Sequence, residues 1–170
     1  MDLQSTIRSI PDFPQPGILF RDITTLLQNP AALNGAIAGM TYHCQILEAE
    51  VIVGIESRGF IFGPAIAQQL NLGFVPIRKP GKLPAPTYTV DYALEYGTDT
   101  LEIHQDAFES GAKAVIVDDL IATGGTAAAA AQLVTKAGAT LAGFSFLIEL
   151  VDLEGRSQLP KAPVKTLVAY

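Results

Sequence analysis

The chain reads as an α/β protein: a mostly parallel sheet of about five strands flanked by helices, with an N-terminal hood and an antiparallel ribbon. Three observations carry this reading. Apolar, β-branched runs at residues 51–55, 115–117 and 140–150 have the continuous hydrophobicity of strands buried on both faces. The first two of these runs each lead through a polar, glycine-bearing loop into a stretch of helical spacing. A composition 49% hydrophobic and 16% charged fits a compact chain with a well-buried core.

Taken in order, residues 3–10 predict a short helix stopped by Pro11. The segment Asp12-Phe13-Pro14-Gln15-Pro16-Gly17-Ile18-Leu19-Phe20-Arg21-Asp22 is too rich in proline for regular structure through Gly17. By itself it reads as a loop that tucks Phe13 and Phe20 into the core and pairs Arg21 with Asp22. Residues 30–49 have helical spacing, with Leu33, Ile37, Met40, Cys44 and Leu47 on one stripe and Pro30 in the first turn. Cys44 is then a buried, inert thiol and His43 a surface residue of the helix. The strand at 51–55 passes through Glu56-Ser57-Arg58-Gly59 into a helix at 63–70, which Ser57 is placed to cap.

A third strand at 74–77 runs into Arg78-Lys79-Pro80-Gly81-Lys82, where three of the eleven Lys and Arg residues fall close together. This segment is either a solvated basic loop or a gathered anion site. Residues 87–90 and 100–104 have β character and predict a ribbon standing off the main sheet, with Leu94-Glu95-Tyr96-Gly97 between its strands. The ribbon is acidic: Asp91, Glu95, Asp99 and Glu102 lie on it. His104 reads as structural. A strand at 140–150, a loop at 155–163 and a strand at 164–169 complete the chain.

The bulk properties exclude several classes. At 170 residues the chain is one domain, 1–170, with the hood at about 1–30. The N-terminus has no basic and apolar leader pattern, and no apolar run suits a membrane span, so a cytoplasmic location is expected. One cysteine excludes an internal disulfide framework, and a net charge of −6 argues against nucleic acid as a partner.

The chemistry concentrates in Val115-Ile116-Val117-Asp118-Asp119-Leu120-Ile121-Ala122-Thr123-Gly124-Gly125-Thr126, followed by five alanines. Strand, two acids, glycine turn and helix start make an anion site, because the first helical turn presents unpaired N–H groups at the positive end of the dipole. Glycine lets the backbone approach a phosphate closely, and Asp118 and Asp119 suit hydroxyl groups or a metal. A P-loop is excluded because no Gly-Lys-Ser/Thr follows, and the dinucleotide spacing is absent. A phosphorylated sugar fits this combination.

This stretch resembles the 5-phosphoribosyl 1-pyrophosphate (PRPP) motif of type I phosphoribosyltransferases. Across nearly its whole length the chain is similar to the adenine-specific members of that purine family. The resemblance implies their fold and their reaction in purine salvage: transfer of ribose 5-phosphate from PRPP to adenine, giving AMP and pyrophosphate. It assigns the 5-phosphate to Ala122, Thr123, Gly124, Gly125 and Thr126, and the ribose hydroxyls to Asp118 and Asp119. Pyrophosphate falls to Ser57, Arg58, Gly59, Arg78 and Lys82.

By the same resemblance Phe20 stacks on adenine while backbone groups around Leu19 and Arg21 read its edge. The residues alone leave Glu95 open between a solvated acid and a catalytic one; the resemblance makes it the acid/base near the purine. A lid at about 80–102, Mg²⁺ bound with PRPP and a homodimer are also implied. No protein ligand to the metal is assigned. Base choice among the purines stays open, since it depends on backbone geometry near Leu19 and Arg21. A PRPP- or purine-sensing regulator is the alternative outside enzymes; the persistence of lid, Glu95 and basic loop argues against it.

Overall fold

The structure, a computed structural model, describes residues 2–93 and 97–170. The elements run β1 (Arg8–Pro11), β2 (Leu19–Asp22), α1 (Thr24–Gln28), α2 (Pro30–Ile46), β3 (Val51–Ile55), α3 (Gly59–Leu70) and β4 (Gly73–Ile77). They continue with β5 (Thr87–Ala93), β6 (Thr98–His104), β7 (Lys113–Ile121), α4 (Gly125–Lys136), β8 (Thr140–Glu149) and β9 (Val164–Ala169). A parallel sheet of five strands in the order β4-β3-β7-β8-β9 carries the fold. Among the described residues no helix is long and apolar enough to cross a membrane.

β7 lies mid-sheet, and its residues Ala114, Val115, Ile116 and Val117 are fully buried. The pleat sends them to opposite faces. Ile116 joins the layer of α4 and the ribbon strands, whereas Val115 and Val117 join Met40, Cys44, Phe62 and Ile66 from α2 and α3. Helices thus cover both faces, as a sheet of wholly apolar parallel strands requires. Cys44 is buried on its stripe, and burial pushes its thiol up to about 12. His43 is half-buried rather than a plain surface residue, its Nδ1 lying 3.1 Å from Ser145 Oγ on β8.

Three expectations need correction. The predicted helix at 3–10 survives only as a 3₁₀ turn, Gln4–Thr6. Arg8–Pro11 instead pairs antiparallel with Leu19–Asp22. Contacts distant in sequence decide this: the Arg8 guanidinium bonds the Asp22 carboxylate, and the Arg8 N–H donates to Thr25 Oγ1 at 3.2 Å. Second, the helix after β3 begins at Gly59 rather than 63, and Ser57 makes no side-chain cap. The glycine at 63, which looks like a boundary, marks close packing, since a Cβ there would meet Phe74 at 2.4 Å.

Third, the ribbon β5–β6 is a two-stranded sheet of its own, as expected, but it packs onto α4 and the end of β4 instead of standing free. Leu101 and Ile103 of β6 are fully buried against α4 and the sheet. Arg78 and Glu102 exchange two backbone hydrogen bonds, of 3.0 and 2.8 Å, tying the end of β4 to β6. His104 accepts from the Ala85 N–H through Nε2 at 3.3 Å.

Asp22 joins the small β1–β2 sheet to α1. It accepts from Arg8, from the Thr24 N–H at 3.0 Å and from Thr24 Oγ1 at 2.8 Å. Those bonds, the Thr24 backbone foremost, hold its carboxyl down at about 2, against an ordinary 3.8. A depressed carboxylate stabilises the fold above the unfolded value and loses that contribution as pH falls through the folded one. Asp22→Asn should therefore lower the melting temperature at pH 7. Its deficit should shrink between about pH 4 and pH 2, as thermal unfolding across that range will show.

Candidate active site

At the carboxyl end of β7 the chain turns through Ala122–Thr126 into α4. Gly124 caps the helix at φ +87°, and no side chain supplies a cap bond. A Cβ on Gly124 would lie 2.2 Å from the Gly155 carbonyl oxygen, and one on Gly155 would lie 2.3 Å from that of Ala122. Two backbones in contact thus fix the turn, and only glycine fits at either position. Among the described residues none accepts from the N–H groups of Thr123 through Ala127. These donors stand at the positive end of a helix of 12 residues.

The two carboxylates belong to the strand itself, since β7 runs on through them to Ile121. Asp119 is 4% exposed, and its Oδ2 lies 2.7 Å from Arg58 Nε. Asp118 accepts the Asp119 N–H through Oδ1 at 2.9 Å. Burial, and then the neighbouring charge of Asp119, raises the Asp118 carboxyl well above the usual carboxylate range. Burial also raises Asp119, against the opposing pull of Arg58. Such a carboxylate pair is kept at a cost to stability, which marks functional sites.

The second wall is Glu56-Ser57-Arg58-Gly59, after β3. Gly59 packs so closely on β7 that a Cβ would lie 2.9 Å from the Val117 carbonyl oxygen and 3.1 Å from Asp118 Oδ1. Glu56 is the hub of the basic run. It pairs with Lys82, lies 3.3 Å from Arg78 Nε and accepts the Lys79 N–H at 2.9 Å. Burial opposes the ionised form, yet the bonds from Lys82, Lys79 and Arg78 hold the carboxyl at about 2. Lys79 turns to Asp99 on the ribbon, which also accepts from the Tyr92 hydroxyl at 3.2 Å. The acidic ribbon is therefore partly neutralised by the basic run beneath it.

The hood contributes β2, paired on one edge by β1, so that among the described residues its other edge has no partner strand. Phe13 and Phe20 do not enter the core. Phe13 is 50% exposed and meets Phe20 edge to face at 5.1 Å. Arg21 does not pair with Asp22, which Arg8 occupies; it donates to Ser9 Oγ and lies 3.7 Å over the Tyr170 ring. Phe20 sits within 5.6 Å of the Arg58 guanidinium, the group that bonds Asp119. The hood and the acid pair therefore face one another across Arg58.

A cavity of about 260 Å³ brings together Ser57, Arg58, Asp118, Asp119, Ala122, Thr123, Gly124, Gly125 and Thr126. Leu19, Phe20, Arg21, Gly59, Arg78 and Lys82 do not line it. Phe20, Gly59, Arg78 and Lys82 border it through the contacts above, whereas Leu19 and Arg21 are turned to Pro11, Ser9 and Tyr170. Glu95 lies outside the described residues. Sequence reasoning missed Glu56, Lys79, Tyr92 and Leu101, which do line it. Glu56 and Lys79 adjoin motifs that were legible, whereas nothing local marks Tyr92, whose hydroxyl is 3.5 Å from Thr126 Oγ1. Among the described residues no three His, Cys, Asp or Glu side chains cluster to hold a metal.

Residues 22–167 match the phosphoribosyl transferase domain model. The chain belongs to this phosphoribosyltransferase family. It is 62% identical over 174 residues to the adenine phosphoribosyltransferase of Picosynechococcus, with all of both chains covered. The adenine phosphoribosyltransferase of Rhodothermus marinus superposes with a TM-score of 0.92 at 51% identity, covering 99% of this chain and 96% of that one. That of Saccharomyces cerevisiae, crystallised with an imino-altritol bisphosphate and adenine, gives 0.93 at 44% identity, covering 98% and 96%. The sheet order and flanking helices are those of the type I phosphoribosyltransferase fold.

The raised Asp118 has a checkable consequence. A carboxyl whose folded value exceeds its unfolded one destabilises the fold when ionised in both states. Asp118→Asn should match or exceed the wild-type melting temperature at pH 8, and that advantage should vanish below about pH 4. Thermal unfolding of both proteins across that range tests it.

Proposed function

We propose that this phosphoribosyltransferase moves the 5-phosphoribosyl group of PRPP onto adenine, producing AMP and pyrophosphate in purine salvage. The observation that carries the reading is the juxtaposition of acceptor-less amides at the start of α4 with two buried carboxylates in one cavity. Amides and helix dipole suit the 5-phosphate, and Asp118 and Asp119 suit the ribose hydroxyls beside it. The relatives named above extend the reading to adenine.

The chemistry follows from charge. As pyrophosphate leaves the anomeric carbon, the ribosyl ring gains oxocarbenium character, and the carboxylates below it stabilise the developing cation. The phosphate turn fixes one end of the sugar while its ring moves toward the base. Arg58, Arg78 and Lys82 take up charge on the leaving group. Mg²⁺ would supply further neutralisation when bound with PRPP, and Glu56, Asp118 and Asp119 are the carboxylates that line the cavity. With no cluster of three ligands among the described residues, the ion fits as one held mainly by its substrate.

Phe20 is the stacking partner for adenine, and the open edge of β2 at Leu19 and Arg21 reads its polar edge. Glu95 handles the purine proton. Residues 80–102 shield the sugar from water; because Leu101 is fully buried, closure belongs to the part of the segment before it. A homodimer in the cytoplasm accompanies this reading.

A spectrophotometric assay with PRPP, Mg²⁺ and a panel of purine bases tests the proposal. Adenine should be converted to AMP in preference to hypoxanthine, guanine and xanthine. Asp119→Asn should lower kcat by roughly 100-fold or more while its melting temperature stays near wild type. Preference for another base would reassign the substrate, and wild-type turnover by Asp119→Asn would remove the acid pair from the mechanism.

A further inference from the structure

The basic run meets its counter-charges inside the protein. Glu56 and Asp99 engage all three of its cations: Glu56 pairs with Arg78 and Lys82, and Asp99 with Lys79. Glu102 lies against the run as well, its Oε2 accepting the Gly81 N–H at 3.2 Å, so the three cations are met by acids of the protein itself where a polyanionic leaving group has to bind. Glu56 is placed unlike a surface partner. Its side chain is only 11% exposed and lines the same cavity as the phosphate turn, while the Lys82 side chain is 47% exposed. The segment carrying Lys82 is irregular and bends at Gly81, φ +78°, so the ammonium is the movable member of the pair.

On this basis, and resting on the functional reading above, we propose that Glu56 is an internal stand-in for pyrophosphate. With the site empty it holds Lys82 and Arg78 at the cavity; when pyrophosphate arrives, Lys82 exchanges the carboxylate for a phosphate oxygen. When pyrophosphate leaves, Glu56 takes the ammonium back. Arg78 turns its Nε to Glu56 and its Nη1 to the Lys82 carbonyl at 3.5 Å, so it can hold the carboxylate and still offer Nη2 to a phosphate. The exchange weakens pyrophosphate binding by competition and by like-charge repulsion, which favours release of a product the site would otherwise retain. Glu56 acts here through the cations and is a positioning residue, with no part in bond making.

This assignment fixes a sign that a purely structural role does not. Glu56→Gln keeps the shape and an acceptor for the Lys79 N–H, yet removes the competing charge. If Glu56 is a stand-in, the variant binds pyrophosphate roughly tenfold more tightly than wild type. Its KM for PRPP also falls and product inhibition deepens, while its KM for adenine is unchanged. If Glu56 merely scaffolds the loop, pyrophosphate binding weakens.

Calorimetric titration of wild type and Glu56→Gln with Mg-pyrophosphate, alongside the two KM values, decides between them; equal or weaker binding by the variant overturns the proposal. A second measurement needs no variant. In a crystal structure of wild type with pyrophosphate, Lys82 Nζ should lie on a phosphate oxygen and off Glu56, and an ammonium still seated on Glu56 would overturn the exchange. Should wild type fail to bind pyrophosphate at all, the functional reading falls and this proposal with it. Binding without tightening in the variant removes only the proposal.

Discussion

Two glycine backbones in contact, Gly124 against Gly155, set the position of everything around the cavity. Because neither position has room for a side chain, the turn after β7 rests directly on the 3₁₀ segment that follows β8. That segment is in turn anchored to the far edge of the sheet. Arg156 bonds Glu149 at the end of β8 with Nε at 2.6 Å, and its other nitrogens reach the Val164 carbonyl and Thr166 Oγ1 on β9. The start of α4 is therefore braced by two strands that contribute no group to the cavity. A bracing of this kind lets unpaired amides wait for a ligand without closing on protein acceptors.

The second constraint is electrostatic. A chain of net charge −6 that binds polyanions cannot rely on its overall field. Local devices do the work: a helix N-terminus, one arginine bridging Asp119 and Phe20, and a short basic run held by acids of its own. The same acids that neutralise the run also aim it. Asp118 and Asp119 go the other way, buried against their own solvation, a cost that the role proposed for them at the ribosyl ring would explain.

Much of this was legible in the residues. The central unit announced itself through a β-branched run, two acids and a glycine turn in register, and the five parallel strands follow from the same alternation of pattern. What failed depended on contacts distant in sequence. The strand at Arg8–Pro11 exists because Asp22 and Thr25 hold Arg8, partners that periodicity over residues 3–10 does not reveal. Gly63 read as a helix boundary because a glycine's reason, here the ring of Phe74, is invisible without the fold. Glu56 adjoins the Ser57-Arg58-Gly59 motif, but a carboxylate in a phosphate site makes sense only with its three donors, Arg78, Lys79 and Lys82, which lie more than twenty residues away in sequence. Tyr92 reaches Thr126 only because the ribbon lies on α4, and no local signal encodes that.

The account stands on the amides at the start of α4 as the seat of the sugar phosphate. A crystal structure of the protein with AMP bound tests this most directly. It should show the phosphate oxygens within hydrogen-bond distance of main-chain N–H groups of the 123–127 turn, with the ribose hydroxyls on Asp118 and Asp119. A nucleotide whose phosphate sits on the basic run, leaving that turn without ligand, would contradict it.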